Sequence, residues 1–541
     1  MSINRDASHA PPQRVSVLSP PRSKAEMTSK LRELFSQLHP VTVVSASLLA
    51  WGVYVAGLVI YRLYFHPLAR FPGPKLAAAT GWYEFYFQYW LDGQYIFETE
   101  RMVKKYGPII RVNPEELFIH DPEFYNDLYV TESTRRTNHY DNFAQGIGFD
   151  GCHLLTVEHD LHRTRKKPLE PFFSKMGVSR LQSMLAEVAL HLETRLRQYA
   201  GTGKIVRLDH AFTAYTGDII GRMCLDTNDP GERFLSKDDF SADWFWVMQM
   251  IIRSVPLFSG FPWIIRLLSP IPSEALLWIY PRGQAFATFQ DKARSNIRRA
   301  LASNSMSDQY IESLFHHVAD SDMPASEKSE ERLAKEAQLL LGGGTVTSAR
   351  TISCATYYIL TRPDVANRLR EELRQTMANW PTRIPTWAEL ERLPFLQAVI
   401  KEALRVDFGV MTRLPRISPD VPLQYKQYTI PAGVPVGMSS YFMHTDLEVF
   451  PKPFDFIPER WLGIVSPQMN RNFVPFARGS RTCLGFNLAM AEISLVLAVI
   501  FRPNGPKLEL FETDETDVRV AHDFGVPLPK LDTKGVRAFV R

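Results

Sequence analysis

The stretch Phe476-Ala-Arg-Gly-Ser-Arg-Thr-Cys-Leu-Gly485 leads straight into the apolar run Phe486 to Phe501, which reads as a helix. A cysteine just ahead of a helix N-terminus faces unpaired backbone N–H groups and the positive end of the helix dipole, and both favour its thiolate. Cys483 is therefore a candidate metal ligand, and this pairing of cysteine and apolar helix is the strongest constraint on the fold. Gly479 and Gly485 let backbone approach a flat group, Phe476 can pack on one, and Arg478 and Arg481 add positive charge. A single cysteine before a helix, taken alone, is more often a buried core residue.

The rest of the chain narrows the choice. Its 541 residues exceed one typical domain, yet no later stretch looks like a linker, which implies one large domain behind an N-terminal extension. A net charge of +4, without a dense basic run interleaved with aromatics, argues against nucleic acid. The four cysteines, Cys152, Cys224, Cys354 and Cys483, are widely spaced and form no CxxC, against a disulfide scaffold or a zinc site. Residues 1–40 read as a mobile Ser/Pro/Arg-rich tail with a short helix over Met27–Leu38. Val41 to Tyr61 carries no charge, and as a helix spans roughly 31 Å, enough to cross a bilayer. Lys and Arg on both flanks leave its orientation open. Three prolines between His66 and Pro74 then give a stiff connector.

Further on, Trp82 to Tyr106 reads as helix and Ile109–Val112 with Leu117–His120 as a β-hairpin. Glu158 to Lys167 is a basic helix end. Trp244–Ile252 and Phe258–Leu268 are apolar enough either for core packing or for a membrane-facing lid over a pocket that they and Phe143–Leu155 would shape. Residues 330–360 give the longest helical pattern, although Gly342-Gly343-Gly344 costs roughly 1 kcal/mol per glycine relative to alanine. Either the helix ends there, or a kink and close approach to a bound group keep the glycines. Glu402 and Arg405 share a face of the amphipathic helix Leu393–Arg405. Leu423–Ile430 and Val434–Ser440 read as strands about a Pro431-Ala-Gly433 turn, and Arg413 as facing a pocket edge or the surface.

The cysteine loop resembles the haem-binding loop of the cytochrome P-450 family, with Ala477 where the family usually carries glycine or serine. Gly343-Gly344-Thr345-Val346-Thr347-Ser348 is similar to the family's distal helix, placing Thr347 at the oxygen-side threonine and Val346 where an acid is usual. Glu402-Ala-Leu-Arg405 and Phe456-Ile-Pro-Glu-Arg460-Trp461 resemble its buried charge triad, Glu402, Arg405 and Arg460, which clamps the haem loop. Arg416 matches a haem-propionate arginine. His162 and Lys166 stand where the family has a tryptophan and an arginine directed at the propionates, and Arg163, Arg165 and Lys167 extend that basic surface. His66–Pro74 resembles the hinge of microsomal members.

The resemblance implies a mainly α fold with small β-sheets and one N-terminal transmembrane helix: tail 1–40, anchor 41–61, hinge 62–75, haem-binding catalytic domain 76–541. It implies haem b with Cys483 as axial ligand, electrons from NADPH-cytochrome P-450 reductase with cytochrome b5 as a further donor, and an apolar small-molecule substrate. The expected activity is monooxygenation in secondary metabolism of terpenoids, polyketides or alkaloids, on the cytoplasmic side of the endoplasmic reticulum membrane. Two other readings are a haem-thiolate isomerase or dehydratase that needs no reductase, which Val346 favours, and a non-catalytic haem sensor.

Overall fold

The computed structural model describes residues 40–140, 151–225, 233–261, 263–268, positions 271, 275, 290–291, 293–295 and 297–298, and 314–541. The expected N-terminal tail lies outside them. The chain divides into two units, residues 1–66 and 67–541. In the first, helix α1 (Pro40–Ile60) continues through a π-turn over Tyr61–Phe65, giving 26 residues long and apolar enough to cross a membrane. The helix stops at His66, which is extended because the following Pro67 disfavours helical geometry there.

The second unit is mainly helical with small sheets. Six of its helices position the site: α2 (His159–Lys166), α3 (Leu208–Leu225), α4 (Ala242–Gly260), α5 (Glu330–Thr361), α6 (Pro394–Asp407) and α7 (Phe486–Phe501). Helix α5 starts where the Ser329 side chain accepts from the Arg332 N–H, and it runs unbroken through Gly342–Gly344. The glycines therefore do not end it. A Cβ on Gly344 would stand 3.0 Å from Ile220 of α3, so this glycine serves helix packing rather than approach to a bound group, whereas the Cβ directions of Gly342 and Gly343 are open. Helix α6 begins with Pro394 in its first turn and ends where Phe408 turns left-handed. Helix α7, apolar on nearly every side, is enclosed from Ala491 to Phe501.

A five-stranded sheet runs Ile109–Arg111, Leu117–Ile119, Pro435–Gly437, Arg416–Ile417, Asn138–His139, and its register sets Arg416 opposite His139. A three-stranded sheet (Val206–Arg207, Arg537–Val540, Leu508–Leu510) and the hairpins 423–430 and 522–528 complete the β structure.

Several expectations change. The 82–106 helix breaks into Trp82–Phe85, a π-turn over Tyr86–Trp90 and Tyr95–Tyr106, because Asp92 and Gly93 take positive φ. At Gly93 a Cβ would lie 2.6 Å from the Asp523 carbonyl oxygen. The single strand expected over 423–430 folds back at Lys426, which has φ +48°. Arg413 does not lie on the surface: it is paired with Glu116 and Glu84 at 2.6 Å each, over the ring of Tyr95. In α4, Trp244, Val247, Met248 and Ile252 are buried, as core packing requires, while Trp246, like Trp263 and Leu267 beyond, is exposed.

Candidate active site around Cys483

The loop before α7 is closed on itself by the Cys483 N–H donating to the Phe476 carbonyl at 3.0 Å. Gly479 takes φ +77°, and a Cβ there would sit 2.4 Å from the Val130 carbonyl oxygen, so this glycine fits the loop against protein backbone. Phe476 meets Phe486 edge-on at 4.8 Å, and Gly485 has an open Cβ direction. Cys483 is accessible, whereas Cys152, Cys224 and Cys354 are buried. Burial within the fold pushes its thiol up, against the N–H groups of Gly485 and Phe486 and the charge of Lys166, which pull it down. A metal cation would add to the groups that favour the thiolate. Arg478 donates instead to Asn126 and the Asn470 carbonyl, as a brace of the loop.

A group of basic side chains surrounds this loop. Arg481 spends its guanidinium on backbone, donating to the carbonyls of Thr137 (3.4 Å), Thr156 (2.7 Å) and Val157 (2.8 Å). Lys166 donates to the carbonyls of Ser480 (3.2 Å) and Thr482 (3.3 Å), on either side of Arg481 and next to the thiol. Arg416 is buried, with its guanidinium over the Tyr129 ring. His162 is fixed by a 2.8 Å bond between Nδ1 and the His153 carbonyl, and its buried Nε2 has no partner among the described residues. Burial and then Arg416 lower Arg481 to about 9; burial and then Arg481 lower His162 to about 3. Arg416 and Lys166 are also lowered, chiefly by burial. Among the described residues no carboxylate pairs with Arg416 or Arg481, and the exposed Glu170 lies 3.8 Å from Lys166. Such a cluster is short of negative charge.

Behind the loop the arrangement is the opposite. Glu402 accepts from Arg405 at 2.8 and 2.9 Å, from Arg460 at 3.3 Å, from the Trp461 indole at 2.9 Å and from the Ile457 N–H at 2.9 Å. Arg405 spends its other donors on the carbonyls of His444, Pro453 and Asp455. Two residues escaped the sequence reading. Trp461 adjoins Arg460 and carries an indole N–H that burial obliges to find an acceptor; His444 links α6 to the loop, with Nδ1 bonded to the Arg405 carbonyl (3.1 Å) and Nε2 accepting from Val474 N–H (3.0 Å).

On α5, Thr347 bonds back to the Gly343 carbonyl at 2.8 Å, on the stripe where Gly343 leaves open space. Val346 packs in an apolar cluster with Ile252 of α4, Phe524 and Leu528. Thr345 is turned away and bonds within the helix, and its carbonyl accepts from Thr216 of α3. Ser348 is bonded to Glu492 of α7, whose carboxyl burial pushes up to about 8.

A family model, cytochrome P-450, matches residues 77–504. The chain belongs to the cytochrome P-450 family. Its enzyme class is that of the P-450 monooxygenases, as named for its fungal relatives. The cytochrome P-450 monooxygenase oblB of Aspergillus clavatus is 50% identical, over 93% of this chain and 97% of the relative. Fusicoccadiene C-8 hydroxylase of Phomopsis amygdali is 49% identical, over 89% and 93%, and stellatic acid synthase of Emericella variicolor 44%, over 91% and 94%.

The family implies a haem-thiolate cofactor, redox partners and a small-molecule substrate. In this P-450 the basic surface of α2 is partly neutralised, Arg165 by Glu327 (2.6 Å) and Arg163 by Glu132 (2.9 Å), while Lys167 is exposed. Of the pocket segments read from sequence, Phe143–Asp150 lies outside the described residues.

Proposed function

We propose that this P-450 is a membrane-anchored haem b monooxygenase that takes two electrons from NADPH through a reductase and oxidises an unsaturated terpenoid hydrocarbon. The observation that carries the reading is an accessible cysteine at a helix start beside two buried arginines, Arg416 and Arg481, that lack carboxylate partners among the described residues. Those residues fit a group bearing one metal and two carboxylates. Cys483 would ligate the iron; His162, Lys166, Arg416 and Arg481 would face or frame the propionates; Glu402, Arg405 and Arg460 would clamp the loop. When bound, haem supplies dioxygen activation, its thiolate ligand pushing electron density toward O–O cleavage. Thr347 holds a hydroxyl at the open stripe of α5. Val346 cannot relay a proton, so water on Thr347 or a substrate hydroxyl must do so. Thr345 and Ser348 are committed to bonds elsewhere and do not share that task.

Helix α1 supports single-pass anchoring, and the reading places that anchor in the endoplasmic reticulum membrane with the catalytic unit in the cytoplasm. The substrate class rests on the relatives: one is named as hydroxylating a diene at C-8, another as synthesising an acid, which suits successive oxidations at one carbon. With reductase, NADPH and isotopically labelled O2, a terpenoid hydrocarbon should gain one labelled oxygen, and Thr347→Ala should lower product per NADPH and raise peroxide. Full turnover without reductase would replace this reading with the isomerase.

A further inference from the structure

The segment Cys152–Val157 is gripped from both sides of the site. On the cysteine side, Arg481 donates to the carbonyls of Thr156 and Val157, and His162 Nδ1 bonds the His153 carbonyl. On the other side stands Glu336 of α5, fully buried. One of its oxygens accepts from the His153 backbone N–H at 3.1 Å and from Arg332 at 2.9 Å; the other lies 2.5 Å from His153 Nδ1. Burial would push this carboxyl up, yet His153 and Arg332 outweigh it and hold it below the usual range. Arg165 closes the ring through Thr156 Oγ1 (2.8 Å) and Glu327 (2.6 Å), whose carbonyl accepts from Arg332. Cys152 and Leu155 pack on Leu339, one turn along α5.

Helical periodicity puts Glu336 on the same stripe of α5 as Gly343 and Thr347, seven and eleven residues later. A displacement at Glu336 would therefore move the segment that both His162 and Arg481 are bonded to. We propose that Glu336 is a positioning residue, which ties the start of the oxygen-side helix through His153 to His162 and to the carbonyls that Arg481 grips. The Glu336–His153 contact thus sets how firmly the propionate side of the haem is held, and this rests on the reading of His162 as propionate-facing. The path from α5 to that histidine is short: carboxylate, imidazole, carbonyl, imidazole.

The test uses the haem-loaded protein and two readouts, the rate of haem transfer to excess apomyoglobin and the midpoint potential. His162→Ala sets the reference. Glu336→Gln, which keeps the volume, and His153→Ala, which keeps the carbonyl, should each speed transfer by about tenfold, the scale of one hydrogen bond to a charged group. Each should also move the potential in the same direction as His162→Ala. Combined with His162→Ala, Glu336→Gln should add little, because the two act along one chain. Unchanged transfer and potential in both Glu336→Gln and His153→Ala, or effects that simply multiply with His162→Ala, overturn the proposal. No effect of His162→Ala itself overturns the propionate reading beneath it.

Discussion

Two buried charge clusters flank the cysteine loop, and they are solved in opposite ways. At Glu402 a carboxylate meets two guanidiniums, an indole and a backbone N–H, and Arg405 spends the rest of its donors on carbonyls, so the carboxylate and Arg405 are satisfied inside the protein. Around Arg416, Arg481 and Lys166 the only carboxylate among the described residues is the exposed Glu170, 3.8 Å from Lys166, and the neutral His162 beside them keeps an unpartnered ring nitrogen. Burying charge costs several kcal/mol per ion unless it is paired. A cluster that pairs itself is architecture; one that leaves the cost standing is, on the proposed function, where an anion from outside would bind. Glu492 shows a third way, a lone buried carboxyl that burial keeps protonated.

The contrast can be broken by substitution. Glu402→Ala should have the largest effect, about 3–5 kcal/mol, because it strands Arg405 and Arg460 as uncompensated buried charges. The measurement is recovery of folded protein by circular dichroism, and a normal thermal midpoint would show that the network is not what holds the loop. Arg416→Met should behave differently, keeping the fold, since it removes an unpaired buried cation while the stem still packs. Haem transfer to apomyoglobin should accelerate by roughly tenfold with the loss of a charge-assisted bond. A collapse of the fold instead would make Arg416 architectural.

Glu492→Gln sharpens the third case through pH. The folded-state value of about 8 lies above that of an unfolded glutamate near 4.3, so the native state holds a proton that the unfolded chain releases between those values. The contribution of Glu492 to stability is therefore fullest below about pH 4 and erodes up to pH 8, by at most about 1.4 kcal/mol per unit. The Gln variant lacks that erosion. Thermal midpoints of the two proteins should diverge from pH 5 to pH 8 in favour of Gln; parallel curves would show that Glu492 is not protonated. Ala477→Gly should have the smallest effect. Ala477 sits at φ +54°, which costs a non-glycine residue about 1 kcal/mol, and glycine should raise the midpoint slightly without changing the haem spectrum.

What could be read from sequence was what lies close together along the chain. The cysteine and its helix, Glu402 with Arg405, and the uncharged α1 span are local patterns, and the helices appear with boundaries close to those expected. What failed is set by contacts far apart in sequence. Arg413 looks like a surface arginine until Glu84 and Glu116 fold around it. The three glycines of α5 suggest either a helix end or close approach to a bound group, but the helix runs on and the neighbour of Gly344 is Ile220 on another helix. Lys166 and Arg481 carry the expected charge, yet their donors go to loop carbonyls, which no residue pattern encodes. The break at Asp92-Gly93 did leave a signal, a turn dipeptide inside a helical stretch, and the backbone of Asp523 explains why glycine is needed.

The central claim, that Cys483 presents a thiolate to a haem held among these cations, is tested most directly by the difference spectrum of the reduced protein with carbon monoxide, recorded for the wild type and Cys483→Ala side by side. The wild type should show the red-shifted Soret band of a thiolate-ligated haem, and Cys483→Ala should lose it. Survival of that band in Cys483→Ala would place the ligand elsewhere and contradict the account.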